Sequence, residues 1–196
     1  MKEKEYLAAT EVIDIHNLAI IELAQQLKTA EATTTAKACF EWVRDNIYHS
    51  SDYQMNPVTC RASQVLEHKT GYCFAKSHLL AALLRANYIP AGFCYQRLSV
   101  FDNGAPYSLH GFNAVYLPDY GWYRLDARGN KPGVNARFHP PQEQLAYSLN
   151  FAEEVDCQRI LSEPLPQVIS ALQTYNTWSE VLHNLPDLEQ EALLNA

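Results

Sequence analysis

The apolar residues of this chain first recur at helical intervals and then gather into strand-like runs. From Thr10 to Lys28, Val12, Ile13, Leu18, Ile21, Leu23 and Leu27 return at roughly helical spacing, which predicts a first helix. Thr34 to Ile47 predicts a second, with Phe40, Val43 and Ile47 on one side. A polar loop, HSSDYQMNP, follows, and Pro57 discourages regular structure before it. Ala62 to Leu66 reads as a short helix. Gly71 then breaks the chain, and CFAKSHLLAALLR, from Cys73 to Arg85, is rich in alanine and leucine and predicts a buried helix that Pro90 closes.

The pattern then changes. FCYQRLSV at 93–100 has the aromatic and branched content of a strand. HGFNAVYL at 110–117 and WYRLDA at 122–127 predict two more, joined by Pro118-Asp119-Tyr120-Gly121 as a hairpin turn. The tail beyond Arg137 is expected to be mostly helical, interrupted by Pro140, Pro141, Pro164 and Pro166. Helices, a core helix and then an antiparallel sheet make an α+β pattern. With no internal repeat or linker, residues 1–196 are expected to form one domain, with a core at about 40–130 and a helical extension at about 138–196.

Composition narrows the function classes. The net charge of −7 disfavours nucleic acid, whose phosphates call for a basic face. Acidic residues interrupt the apolar positions near the N-terminus, so no signal-peptide core is visible. No apolar run approaches the ~18 residues of a membrane span. The five cysteines, at 39, 60, 73, 94 and 157, are odd in number and form no CxxC pair. A reducing, cytoplasmic setting is expected rather than a disulfide framework. His68, Cys73 and His78 do not make a metal site, because five residues of helix turn Cys73 and His78 about 140° apart. No metal and no cofactor are expected.

Cys73 carries the first candidate chemistry. It follows a glycine break at the predicted start of a helix, where unpaired N–H groups and the helix dipole favour a thiolate. Position alone is equally compatible with a buried structural cysteine. His110 opens a strand after the polar stretch DNGAPYSL and is a candidate base, although a solvated strand-end histidine is the commoner case. Asp126 closes the next strand and is a candidate to hold the imidazole in one tautomer; exposed turn aspartates are also common. Side-chain parity sets a condition on this pair. If Pro118–Gly121 is a four-residue loop, Asn113 pairs with Asp126, and His110 faces the opposite side of the sheet. A working pair therefore requires an odd-length connection or a bulge.

The segments Gly71-Tyr72-Cys73, Leu79 to Ala86 and Ile89-Pro90-Ala91, followed by His110 to Trp122 and Leu125-Asp126, resemble the nucleophile, histidine and aspartate segments of the transglutaminase-like superfamily, in its order and spacing. The likeness covers about residues 40 to 130. It implies a papain-like cysteine-proteinase core, with N-terminal helices and the nucleophile helix packed on an antiparallel sheet. It also implies a Cys73, His110, Asp126 triad that transfers acyl groups from a peptide, protein or small amide through a thioester. Hydrolysis, as in a protease or amidase, is favoured slightly over amine transfer. The backbone N–H of Cys73 is expected at the oxyanion, with Tyr53 or Gln54 as guesses for a second donor, although ordinary polar loop residues are commoner there. The chain is too short for the multidomain calcium-dependent crosslinking enzymes, lacks the CxxC zinc motifs of peptide N-glycanase relatives, and has Phe112 where many members have tryptophan. The rival from another class is a non-catalytic peptide- or protein-binding module, which would be expected to carry a damaged triad. All three residues are present here. Substrate identity and oligomeric state stay open.

Overall fold

The computed structural model describes residues 4–195, with Met1–Glu3, the start of the acidic N-terminal stretch, and Ala196 outside them. The first helix, α1, runs Leu18–Leu27 rather than from Thr10. Thr10 accepts the Ile13 N–H, and Asn17 caps the helix by accepting the Ala19 N–H, so short polar side chains hold the preceding residues in turns. Val12 and Ile13 are buried all the same. Helix α2 spans Ala32–Asn46. The polar loop after it contains a two-residue strand, β1 (Tyr48–His49), and one helical turn, α3 (Ser50–Tyr53). Next come α4 (Ala62–His68) and β2 (Thr70–Gly71), which pairs parallel to β1 with His49 opposite Gly71.

Helix α5 spans Cys73–Ala86, and every residue from Cys73 to Arg85 is buried. A helix apolar nearly all round has no solvent face to offer, and here it forms the axis of the core. α1, α2 and α4 pack against it, and β3 and β4 cover another side. Its two cationic residues find carbonyl partners on neighbouring segments. Arg85 donates to the carbonyls of Ala8, Ala91 and Ser162, and Lys76 donates to those of Arg44 and Ile47 at the C-terminal end of α2.

The sheet is antiparallel, with β3 (Ala91–Ser99) and β4 (Tyr107–Leu117) paired from Ala91↔Val115 to Ser99↔Tyr107. β5 (Gly121–Leu125) adds to β4. The ladder pairs Leu117 with Gly121 and Asn113 with Leu125, so the connection is the odd, three-residue Pro118–Tyr120. The Tyr120 N–H closes the turn on the Leu117 carbonyl, and Gly121 sits at φ 74°, a left-handed conformation that glycine adopts without steric cost. The parity condition is met: one further step of this register sets Asp126 opposite Phe112, on the face that His110 shares.

The expectation of a mostly helical tail holds only from Pro166. Residues 137–156 form β6 (Arg137–His139), β7 (Gln142–Gln144) and β8 (Val155–Asp156) with long loops; β6 and β7 make a hairpin about Pro140-Pro141, and β8 extends the sheet to the order β5-β4-β3-β8. Few apolar residues recur there, and the prolines forbid a helical ladder. Then come α6 (Pro166–Thr174), α7 (Trp178–His183) and α8 (Gln190–Asn195).

Candidate active site

The β1–β2 pairing and the glycine at 71 fix the start of α5. A Cβ at Gly71 would lie 3.0 Å from that of Ala75 and 3.2 Å from Thr59 Oγ1, so the chain enters the helix in close contact with its first turn. Cys73 is the first residue of α5, where helical N–H groups lack intrahelical partners. It lines a half-open cavity of about 620 Å³ together with His110, His49, Arg128 and Tyr147.

His110 is buried on β4 beside the helix start. Its Nε2 lies 2.7 Å from Asp126 Oδ2, and the ring shares the cavity wall with Cys73, whose charge favours the imidazolium. Tyr147 meets the imidazole edge-on at 5.0 Å, and Phe112 stacks on it at 5.8 Å. Burial opposes the imidazolium, but the Asp126 carboxylate and then Cys73 overcome it, and the His110 pKa rises to about 10. Asp126, also buried, accepts the backbone N–H of Ala146 at 3.0 Å and of Arg128 at 3.1 Å. Burial pushes this carboxyl upward, yet His110 and the two N–H groups outweigh it and hold it below the usual carboxylate range. Three donors thus satisfy a buried anion, as burial demands.

The structure brings Cys73, His110 and Asp126 together. It does not bring Tyr53 or Gln54 to them. The single turn of α3 directs Tyr53 outward against Tyr48, with ring centroids 4.7 Å apart, and Gln54 ends that turn in a left-handed conformation at φ 53°. Neither lines the Cys73 cavity. His49 does, although no sequence motif singles it out. Its ring packs edge-on to Tyr72, its Nδ1 is buried without a hydrogen-bond partner, and burial with nearby Arg128 keeps it neutral. The only signal was a histidine two residues beyond the apolar end of α2.

One wall of the cavity is charged. Asp52 pairs with the Arg128 guanidinium, with Nη2 to Oδ1 at 3.0 Å, and accepts Lys131 Nζ at 2.7 Å. Against the effect of burial, these cations hold the Asp52 carboxyl far below its ordinary range. Among the described residues no group of three or more His, Cys, Asp and Glu could hold a metal ion, and no helix is long and apolar enough to cross a membrane. All five cysteines are free and buried.

Such an arrangement, a thiol at a helix start with an imidazole held between it and a buried carboxylate, can perform nucleophilic acyl transfer. The model of the transglutaminase-like superfamily matches residues 21–127. Among solved structures, a candidate cysteine protease of Cytophaga hutchinsonii is 21% identical with a TM-score of 0.53, over 65% of this chain and 42% of that one. The periplasmic domain of TgpA from Pseudomonas aeruginosa is 19% identical with a TM-score of 0.47, over 64% of this chain and 46–48% of that one. The chain therefore spans less than half the length of these structures, and the first of them shares its fold. No curated protein matches the chain.

Proposed function

Because the chain belongs to the transglutaminase-like superfamily, we propose that it is an enzyme that transfers acyl groups through a thioester on Cys73. The observation that supports this most is the 2.7 Å bond from His110 to a buried Asp126, which leaves the other ring nitrogen to Cys73. In the resting site the His110 imidazolium is held by Asp126 beside the Cys73 sulfur, which reacts as its thiolate. The thiolate attacks the carbonyl carbon of an amide. The developing oxyanion is met by the unpaired N–H of Cys73 and by an N–H of the neutral His49. As the C–N bond breaks, His110 gives its proton to the departing amine. The neutral imidazole then takes a proton from water, the hydroxide oxygen attacks the thioester carbon, and the C–S bond breaks to release the acid and restore the ion pair. The cavity is half-open and lined by polar groups, which favours water over an amine as acceptor. The five unpaired cysteines suit a reducing, cytoplasmic setting.

Mixing the protein with p-nitrophenyl acetate tests the reading. A burst of one nitrophenolate per chain, with an acetyl adduct mapped to Cys73 and absent from Cys73→Ala, is expected. Acetylation that persists in Cys73→Ala would contradict it.

A further inference from the structure

The C-terminal segment from Trp178 to Asp187 crosses from one wall of the Cys73 cavity to the other. On the helical wall, the Tyr72 hydroxyl donates to the Trp178 carbonyl at 2.6 Å, and the Trp178 N–H donates to Asn56 Oδ1 at 2.8 Å. On the sheet wall, the Leu109 N–H donates to the Pro186 carbonyl at 2.8 Å, and Arg97 holds Asp187 through two bonds of 2.8 and 2.7 Å. Tyr72 adjoins Cys73 and Leu109 adjoins His110, so the crossing lies beside the reacting groups. Between its anchors, Leu182 and Leu185 turn into the cavity. The cavity is also bordered by Lys131, Pro132 and Gly133, all exposed.

We infer that this strap closes one end of the cleft and restricts the enzyme to acyl donors whose chain continues from the scissile bond in one direction only, namely the ends of short peptides and side-chain amides, and not the interior of a long chain. The inference rests on Cys73 being the nucleophile proposed above. An extended chain passing through the cleft would need the ground held by Leu182 and Leu185. Displacing them breaks a bidentate ion pair and three hydrogen bonds, a repulsive element of the kind that sets specificity. The substrate end instead stops against apolar side chains.

Two epoxysuccinyl probes test this without turnover. One carries a peptide on a single carbonyl and a free carboxylate on the other; the second carries peptides on both. In each, the Cys73 sulfur forms a bond to an epoxide carbon, the C–O bond breaks, and the alkoxide takes a proton. The wild-type chain is expected to react with the one-sided probe faster by roughly tenfold or more. Asn56→Ala with Asp187→Ala, neither residue lining the cavity, is expected to narrow that ratio while the circular dichroism spectrum and iodoacetamide labelling of Cys73 persist. Equal rates for the two probes in the wild type would overturn the strap, as would a folded variant that keeps the full ratio. Reaction with neither probe while iodoacetamide still modifies Cys73 would overturn it too, because the second end would then be closed. Failure of iodoacetamide itself to modify Cys73 would instead remove the nucleophile, and the inference with it.

Discussion

Gly111 and Phe74 are pressed together beside the reacting groups: a Cβ at Gly111 would lie 2.8 Å from Phe74 Cδ1. Each adjoins a member of the proposed triad, His110 in one case and Cys73 in the other. The missing side chain at 111 thus sets how closely β4 approaches the start of α5. Gly111→Ala is expected to push the two apart and lower kcat/KM by roughly 10²-fold, the scale of a misplacement near 1 Å. Its stability cost is expected to be about 1–3 kcal/mol, as for other overpacked sites. Steady-state kinetics beside thermal melting separate the two effects. Unchanged kinetics in a destabilised protein would show that the contact is structural only.

The raised pKa of His110 has a definite sign. A histidine held protonated by partners contributes stability that is fully present below its ordinary value of 6.5 and is lost as the pH rises through about 10. The imidazolium is the leaving-group acid, so the alkaline limb of kcat/KM is expected near pH 10. Asp126→Asn removes the strongest interaction that favours the charge and is expected to move that limb to lower pH. A pH–rate profile of both proteins checks this; an identical alkaline limb would mean that Asp126 does not govern His110.

Much of this arrangement was legible in the sequence because it follows local pattern. The alanine and leucine run after Cys73 reads as a buried helix, and parity required an odd connection or a bulge if His110 and Asp126 are to share a face; the three-residue Pro118–Tyr120 turn is the odd connection. The polar stretch 137–156 was misread because its shape is set by distant partners. Ala146 is fixed by Asp126, and the Glu154 carboxylate accepts the Ser99 N–H on β3. No periodicity encodes such contacts. His49 was hidden for the same reason: a two-residue parallel pairing to Thr70–Gly71 carries it to the cavity.

His49 is assigned to the oxyanion rather than to proton transfer, since burial and Arg128 keep it neutral. His49→Ala is expected to lower kcat by roughly 10²-fold with little change in KM, as when one oxyanion donor is removed. Iodoacetamide labelling of Cys73 should persist, because alkylation forms no oxyanion. A rise in KM alone would make His49 a substrate-binding residue instead.

Arg85 ties three segments of chain together, and no carboxylate among the described residues is hydrogen-bonded to it. Its guanidinium donates to Ala8, Ala91 and Ser162, and burial lowers its pKa to about 10. Arg85→Met leaves those carbonyls without their donor and is expected to cost about 3 kcal/mol. Urea unfolding measures it. A loss of less than 1 kcal/mol, on the order of a surface change, would contradict this role.

The central claim is that Cys73 is the nucleophile, and brief iodoacetamide treatment at neutral pH followed by mass-spectrometric mapping tests it most directly. Burial pushes the Cys39 thiol up to about 12, Cys60 to about 11 and Cys94 higher still, and Cys157 is enclosed against the Leu193 carbonyl. Only Cys73 lines the cavity, with an imidazolium beside it. Cys73 is expected to be alkylated first, and more slowly in His110→Ala. Labelling of Cys39 or Cys157 ahead of an unmodified Cys73 would contradict the assignment.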